Sequence, residues 1–262
     1  MNEPEIFAPG LLAGRTALVT GGGTGIGLAI ARELGGLGAR IVIAARDRDR
    51  LDAAAVALRE RGIDVYAHPV NIRREEDVEA LFHAIDQHVG PPDILVNNAG
   101  GQFAAPALDI TPNGFRAVVD LNLNGTWLMS RAFAGRAIAS GQGGRIVNIV
   151  LSLFNGTPGM VHSGAARAGV INMTKTLAGE WGRHGINVNA VAPGTIDTEG
   201  LRQYDMAAIE REMQRLPIKR MGTAREVALA VAYLVSPAGD YITGTTLILD
   251  GGDHLMGAAA EA

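Results

Sequence analysis

The chain has 262 residues, 47% of them apolar, a formal net charge of −4 and no cysteine. That length fits one large α/β domain with a sizeable core, the charge balance offers no basic patch for nucleic acid, and disulfide and thiolate chemistry are excluded. No apolar run approaches the roughly 20 residues that span a bilayer, and the opening MNEPEIFAPG lacks the basic-then-apolar order of a secretory leader, so a cytoplasmic protein is expected.

Residues 1–13 read as an extended arm. TALVT (16–20) is a short apolar run with glycines and an apolar helical pattern directly behind it. RIVIAAR (40–46) predicts a second strand, followed by a charged helix over 48–61. DVYAHPV (64–70) predicts the third, followed by a helix over 74–88, and DILVNNAG (93–100) the fourth. A long helix is expected over 113–140, then a fifth strand RIVNIV (145–150) and a helix over 163–181. INVNAVAP (186–193) is the sixth strand and TTLILDGG (245–252) the last. These strands are near-continuous Val/Ile/Leu runs, as a parallel sheet covered on both faces requires. Alternation with helices then gives right-handed βαβ units and a Rossmann-type, doubly wound α/β sheet of about seven strands. No linker divides the chain, and the charged stretch 194–221 is long for a connection, so it is expected to act as a substrate lid.

TGGGTGIG (20–27) lies between the first strand and the first helix. Gly21 allows a tight turn, Gly25 lets a pyrophosphate approach the backbone, and Gly27 lets the helix pack close to the sheet. Thr24 and Ile26 sit where the helix N-terminus offers free N–H groups and partial positive charge to phosphate. The end of the second strand sets the choice of dinucleotide. An Asp there would pair with a ribose 2′-OH and repel a 2′-phosphate. Here Ala45 is followed by Arg46, whose planar guanidinium suits phosphate, so NADP(H) is expected over NAD(H). The competing reading makes Arg46 a solvated charge in RDRDR, partly screened by Asp47 and Asp49.

Several motifs in order resemble the short-chain dehydrogenase/reductase family over nearly the whole chain. They are the TGxxxGIG spacing, NNAG (97–100), Asn122 in LNLNG, Pro193-Gly194 with Thr198, and ITGTTLILDGG (242–252). The resemblance implies that Asn98, Ala99 and Gly100 line the adenosine-ribose side and that Pro193, Gly194 and Thr198 hold the nicotinamide end. Asn71 and Ile72 stand where many members carry an Asp for the adenine amine, and an Asn carbonyl can accept that bond. A homotetramer is implied as well.

The family's proton relay is altered. Most members carry a serine after the fifth strand, then Tyr-x-x-x-Lys on the next helix. Aligning RAGV here puts Arg167 in the lysine position and Ser163 in the tyrosine position, with Ser152 the hydroxyl near the serine position. An aliphatic hydroxyl is a far weaker acid than a phenol, and Arg does not relay protons. Ser163 and Arg167, four residues apart, share a helix face and are expected to orient groups together with Asn122: Ser163, with Ser152, donating hydrogen bonds to a substrate oxygen, and Arg167 holding the nicotinamide ribose. Candidate proton donors are Tyr204 in the expected lid and His162, the latter weighed against a solvated or capping side chain at a helix start. Lys175 reads as structural. His68, His83, His88, His184 and His254 show no metal-ligand spacing and read as surface or packing residues; no metal site is expected.

NNAGGQF (97–103), NIRREEDV (71–78), IVNIV (146–150) and VHSGAARAGV (161–170) are similar to the peroxisomal trans-2-enoyl-CoA reductases and, less closely, the 2,4-dienoyl-CoA reductases. Where the peroxisomal enzymes carry a tyrosine on this helix, Ile171 stands here. Ketone reduction leaves a localised alkoxide that needs an acid at once. Hydride addition to an enoyl thioester leaves an enolate that needs hydrogen-bond donors and can be protonated by water. Loss of the tyrosine therefore favours an enoyl-type reductase acting on an acyl thioester. A carbonyl reductase with a displaced acid and a non-catalytic nucleotide-binding protein remain the alternatives.

Overall fold

The computed structural model describes residues 6–152 and 156–256; residues 1–5 of the expected arm lie outside them. Seven parallel strands form one sheet in the order β3-β2-β1-β4-β5-β6-β9. They are β1 (Thr16–Thr20), β2 (Arg40–Ala45), β3 (Val65–Pro69), β4 (Ile94–Asn97), β5 (Gly144–Ile149), β6 (Ile186–Pro193) and β9 (Thr246–Leu249). Side chains alternate between two cores. Ala17 and Val19 face one side with α1 (Gly25–Gly36), α2 (Arg48–Arg59) and α8 (Ala224–Val235). Leu18 faces the other with α3 (Glu75–His88), α5 (Gly125–Ser140) and α6 (Val161–Trp181). Both faces being covered explains why the strands read as unbroken apolar runs.

The strand order reverses between β1 and β4, so a crevice opens at their carboxyl ends. Thr20 and Asn98 brace that point. Thr20 Oγ1 accepts from the N–H groups of Asn98 and Ala99, both at 3.0 Å, while Asn98 Nδ2 donates to the carbonyls of Thr20 and Gly21. This bracing ends β4 at Asn97, earlier than the expected strand over 93–100.

The helix expected over 113–140 is interrupted. α4 (Pro112–Val119), capped by Thr111, gives way to a π-helical turn (Asp120–Asn124) before α5. Polar side chains compete with the backbone ladder here: Asn122 Nδ2 donates to Val118 O and Thr126 Oγ1 to Asn122 O, both at 2.8 Å. Single π turns inside helices concentrate at functional sites.

One other expectation needs correction, and two elements add to the predicted set. The arm is not extended over its described part: turns run from Ala8 to Arg15, and Leu12 is buried with its N–H on Leu37 O, because an apolar side chain there fills the end of the core. The stretch 194–221 carries structure of its own. It contains β7 (Ile196–Asp197), a 3-10 turn (Glu199–Gln203) and α7 (Met206–Met213), and β7 pairs with β8 (Gly222–Thr223). Helix α8 was not anticipated, although T-x-x-E announces it. Thr223 Oγ1 accepts from Glu226 N at 3.1 Å, and Glu226 Oε2 accepts from Thr223 N at 2.8 Å, a reciprocal capping box. Among the described residues no helix is long and apolar enough to cross a membrane.

Arg220 hydrogen-bonds the same carboxylate and, with Thr223, holds Glu226 down to about 2 against the opposing effect of burial. A depressed carboxyl pKa adds stability above the ordinary value of 4.5 and loses it as pH falls toward 2. Glu226→Gln should therefore lower the denaturation midpoint at neutral pH, and the gap from the parent chain should close between pH 4.5 and 2. Urea unfolding across pH checks this; a constant gap would refute the assignment.

Candidate active site

A groove of about 1000 Å³ lies over the strand-order reversal. Its floor is the glycine turn, with Gly21 at φ +66° and Gly25 at φ +52°, backbone that L side chains rarely adopt. A Cβ on Gly27 would overlap Gly21 O, so only glycine lets α1 start this close to the turn. Thr24 precedes α1 without a side-chain capping bond, and the first turn holds no acidic residue, unlike α2, α4, α7 and α8, whose first N–H groups are capped by side chains. The N–H groups of α1 thus face the groove available for an anion.

Of the residues expected to bind cofactor, Gly21, Thr24, Gly25, Ile26, Arg46, Ile72, Asn98, Ala99, Gly100 and Thr198 line this groove. Arg46 is exposed and makes no ion pair or hydrogen bond among the described residues. Asp47, expected to screen it, instead caps α2 through Arg50 N at 3.1 Å and pairs with Arg50 Nε at 3.2 Å. Arg46 is therefore an uncompensated cation on the groove wall. Asn71 is outside the lining; its Oδ1 is held by Arg73 N and Nε, both at 3.3 Å. The Asn98 amide is committed to the brace, so what residues 98–100 offer the groove is chiefly backbone. Pro193 and Gly194 lie at the end of β6, where Pro193 O accepts from Ser152 N at 3.1 Å and Gly194 N donates to Leu249 O at 3.0 Å.

Three expected site residues converge beyond Gly100. Arg167 is buried, its Nη1 donates to Ile149 O, and a Cβ on Gly100 would overlap its Nη2. Burial pushes the guanidinium down to about 10, so it stays charged at neutral pH. Asn122, fully buried at the π turn, clamps the same loop: Nδ2 donates to Gly101 O at 2.8 Å and Oδ1 accepts from Gly101 N at 3.3 Å. Ser163, buried one turn before Arg167, donates Oγ–H to Gln102 Oε1 at 2.7 Å.

Ser152 lies apart from that loop cluster and donates its hydroxyl to Asp250 Oδ2 at 2.7 Å. Asp250, buried just beyond β9, was not anticipated from sequence; DGG reads as a turn, and nothing local marks its carboxylate as buried. It also accepts from Gly252 N at 2.9 Å and His254 N at 3.0 Å, and His254 Nδ1 lies 2.9 Å away. Burial works to raise the Asp250 carboxyl, but the hydrogen bonds from Ser152, His254 and Gly252 prevail and hold it below the usual range. His254, read as surface or packing, is thus a partner of Asp250. Tyr204 closes the 3-10 turn and is not among the groove-lining residues, whereas Thr198, Glu199, Gly200 and Gln203 are. His162, read as solvated or capping, is neither. Its side chain is fully buried, Met160 occupies the cap position, and the ring packs T-shaped on Phe103 at 4.5 Å. Among the described residues no group of His, Asp and Glu is arranged to hold a metal ion.

A glycine turn at a strand-order reversal, beneath a helix N-terminus open to anions, is the geometry with which doubly wound sheets hold a dinucleotide. Residues 21–254 match the family described as Enoyl-(Acyl carrier protein) reductase, and the chain belongs to the short-chain dehydrogenase/reductase family. It is 39% identical to the peroxisomal 2,4-dienoyl-CoA reductase of Arabidopsis thaliana, over 96% of this chain and 88% of that one. It is 35% identical to a probable 2,4-dienoyl-CoA reductase of Bacillus subtilis, over 92% and 97%. Among solved structures, a dehydrogenase of citronellol catabolism from Pseudomonas aeruginosa shares 41% identity, covers 98% of this chain and 99% of its own, and superposes with a TM-score of 0.85.

Gly100→Ala tests the convergence. The added methyl must displace Arg167, so nicotinamide dinucleotide affinity should fall about tenfold, roughly 1.4 kcal/mol, with the fold retained by circular dichroism. Calorimetric titration reads this directly, and unchanged affinity would separate Arg167 from the cofactor.

Proposed function

We propose that the protein reduces the carbon–carbon double bond of an α,β-unsaturated acyl-CoA thioester, with NADPH as hydride donor. The observation that carries this reading is the occupancy of the relay positions: buried Ser163 and charged Arg167 stand four residues apart, and none of the four tyrosines lines the groove. Such a site can hold and polarise but supplies no matched acid, which conjugate reduction tolerates and ketone reduction does not. Relatives named for dienoyl-CoA reduction support the substrate class.

The residues present fit a dinucleotide. The glycine turn and the start of α1 would hold its pyrophosphate, and Arg46 would meet a 2′-phosphate. Bound there, NADPH supplies a hydride. Arg167 would hold the nicotinamide ribose and place a positive charge beside the accumulating negative one. Asn122 acts one step back, fixing the Gly100–Gly101 backbone against which Arg167 rests. Ser163 orients Gln102 at the wall, and Ser152 with Asp250 fixes the end of β9. Water, or Tyr204 from the 194–221 lid, would deliver the proton to the α-carbon. The reading keeps the homotetramer implied by the family resemblance, with exposed Trp127 on α5 and Val161 on α6 as apolar side chains available to an interface. The reading keeps the protein in the cytoplasm, although relatives include peroxisomal proteins.

Two assays test this. NADPH oxidation with crotonyl-CoA and 2,4-hexadienoyl-CoA should exceed that with ketones and aldehydes; robust ketone reduction without enoyl reduction would overturn the reaction class. Arg46→Ala should weaken NADPH binding by about 1.5–3 kcal/mol, the range for hydrogen bonds to charged groups, and leave NADH binding nearly unchanged. Equal affinities for the two cofactors in the parent chain would refute the role of Arg46.

A further inference from the structure

Resting on the reductase reading, we infer that His162 is a catalytic hydrogen-bond donor whose Nε2–H meets the thioester carbonyl oxygen of the substrate. The inference begins with the ring's hydrogen bonds. Nδ1 accepts the backbone N–H of Ser163 at 2.9 Å. A backbone amide can only donate, so Nδ1 presents a lone pair and the neutral imidazole carries its proton on Nε2. That Nε2 is buried and has no hydrogen-bond partner among the described residues. A buried donor left unsatisfied is costly, and in native proteins such groups concentrate where a ligand or a catalytic role accounts for them.

Its surroundings agree. Phe103 packs edge-on against the ring, fixing its plane. Gln102 and Phe103 directly continue the groove-lining run that ends at Gly100, and the neighbouring Ser163 is tied to Gln102. Arg167, five residues further along α6 and one turn beyond Ser163, rests on Gly100. His162 therefore lies between the loop that follows the groove-lining Asn98–Gly100 backbone and the start of α6, and we place the substrate thioester against it there.

The remaining donors narrow the choice. The hydroxyl protons of Ser163 and Ser152 are directed at Gln102 Oε1 and Asp250 Oδ2. Neither is free to stabilise an oxyanion; His162 Nε2–H is uncommitted, and the other unpartnered buried donor on α6, Arg167 Nε, belongs to the guanidinium that the reductase reading gives to the nicotinamide ribose. In the step it serves, a hydride adds to the β-carbon of an enoyl thioester, or to the δ-carbon of a conjugated dienoyl one. The dihydronicotinamide is thereby oxidised. The displaced π pair shifts onto the thioester oxygen, where Nε2–H hydrogen-bonds it. The carbonyl then re-forms as carbon takes a proton from water. His162 stays neutral throughout and is not consumed.

The test has a spectroscopic arm and a kinetic arm. The chain has six histidines, so protein labelled with ¹⁵N-histidine gives a small set of ring signals, and His162→Gln identifies the one from His162. Adding hexanoyl-CoA to the NADP⁺ complex should move the Nε2–H resonance of His162 downfield and slow its solvent exchange. Hexanoyl-CoA that binds without moving that signal overturns the inference. Kinetically, His162→Leu should lower kcat for 2,4-hexadienoyl-CoA by a factor of about 10²–10³, with the NADPH Kd within about threefold of the parent value. His162→Gln, whose amide nitrogen reaches toward the Nε2 position, should recover about tenfold over the leucine variant. A folded leucine variant with near-parent kcat, or a glutamine variant no better than leucine, also overturns it. A parent chain that binds hexanoyl-CoA and shows the His162 shift but reduces no thioester refutes the reductase reading alone. Absence of hexanoyl-CoA binding refutes both.

Discussion

The site depends on one cross-brace, the reciprocal hydrogen bonding of Thr20 and Asn98 between the ends of β1 and β4. Where the strand order reverses, the connections leaving two adjacent parallel strands part to opposite faces of the sheet, and the backbone groups beyond the last ladder bond must find partners. Thr20 and Asn98 provide them. Their bonds fix the glycine turn against the Asn98–Gly100 backbone and hold the groove open at a defined width. Gly27 then brings the start of α1 directly over the turn, so helix dipole and free N–H groups converge on the groove.

From that brace the reacting end is assembled by contact. Gly100 is small enough for Arg167 and Asn122 Oδ1 to lie against it, and Asn122 clamps Gly101. The π turn carries Asn122, whose amide serves Val118 O and Gly101 O together. A second set of bonds, from Ser152 and His254 to Asp250, fixes the far end of the sheet. Rigidity is thus concentrated where a hydride donor and acceptor must be aligned, and orientation of this kind contributes much of an enzyme's rate.

The replacement of a tyrosine–lysine pair by Ser163 and Arg167 changes what the site can do without dismantling it. Arginine keeps a positive charge that burial moves down only to about 10, so at neutral pH it still binds and polarises. It cannot cycle a proton. The proposed chemistry is one in which negative charge is delocalised and can wait for its proton, which is the property of a conjugated thioester.

The sequence by itself determined the sheet, the glycine turn and the cation at Arg46, because each is encoded locally: apolar runs, positive-φ glycines and the residue at a strand end depend on near neighbours. It also placed Asn122, Ser163 and Arg167 on the correct elements. Where polar groups found their partners was decided only by the tertiary structure. Asp47 turned toward Arg50 and left Arg46 uncompensated; Ser152 met Asp250, 98 residues away in sequence. His162, which reads as a helix-start residue, became fully buried because the 101–106 loop folds Phe103 against it. Hydrogen-bond partners distant in sequence leave no periodicity or spacing to read, since burial and pairing are set by which loops the sheet brings together.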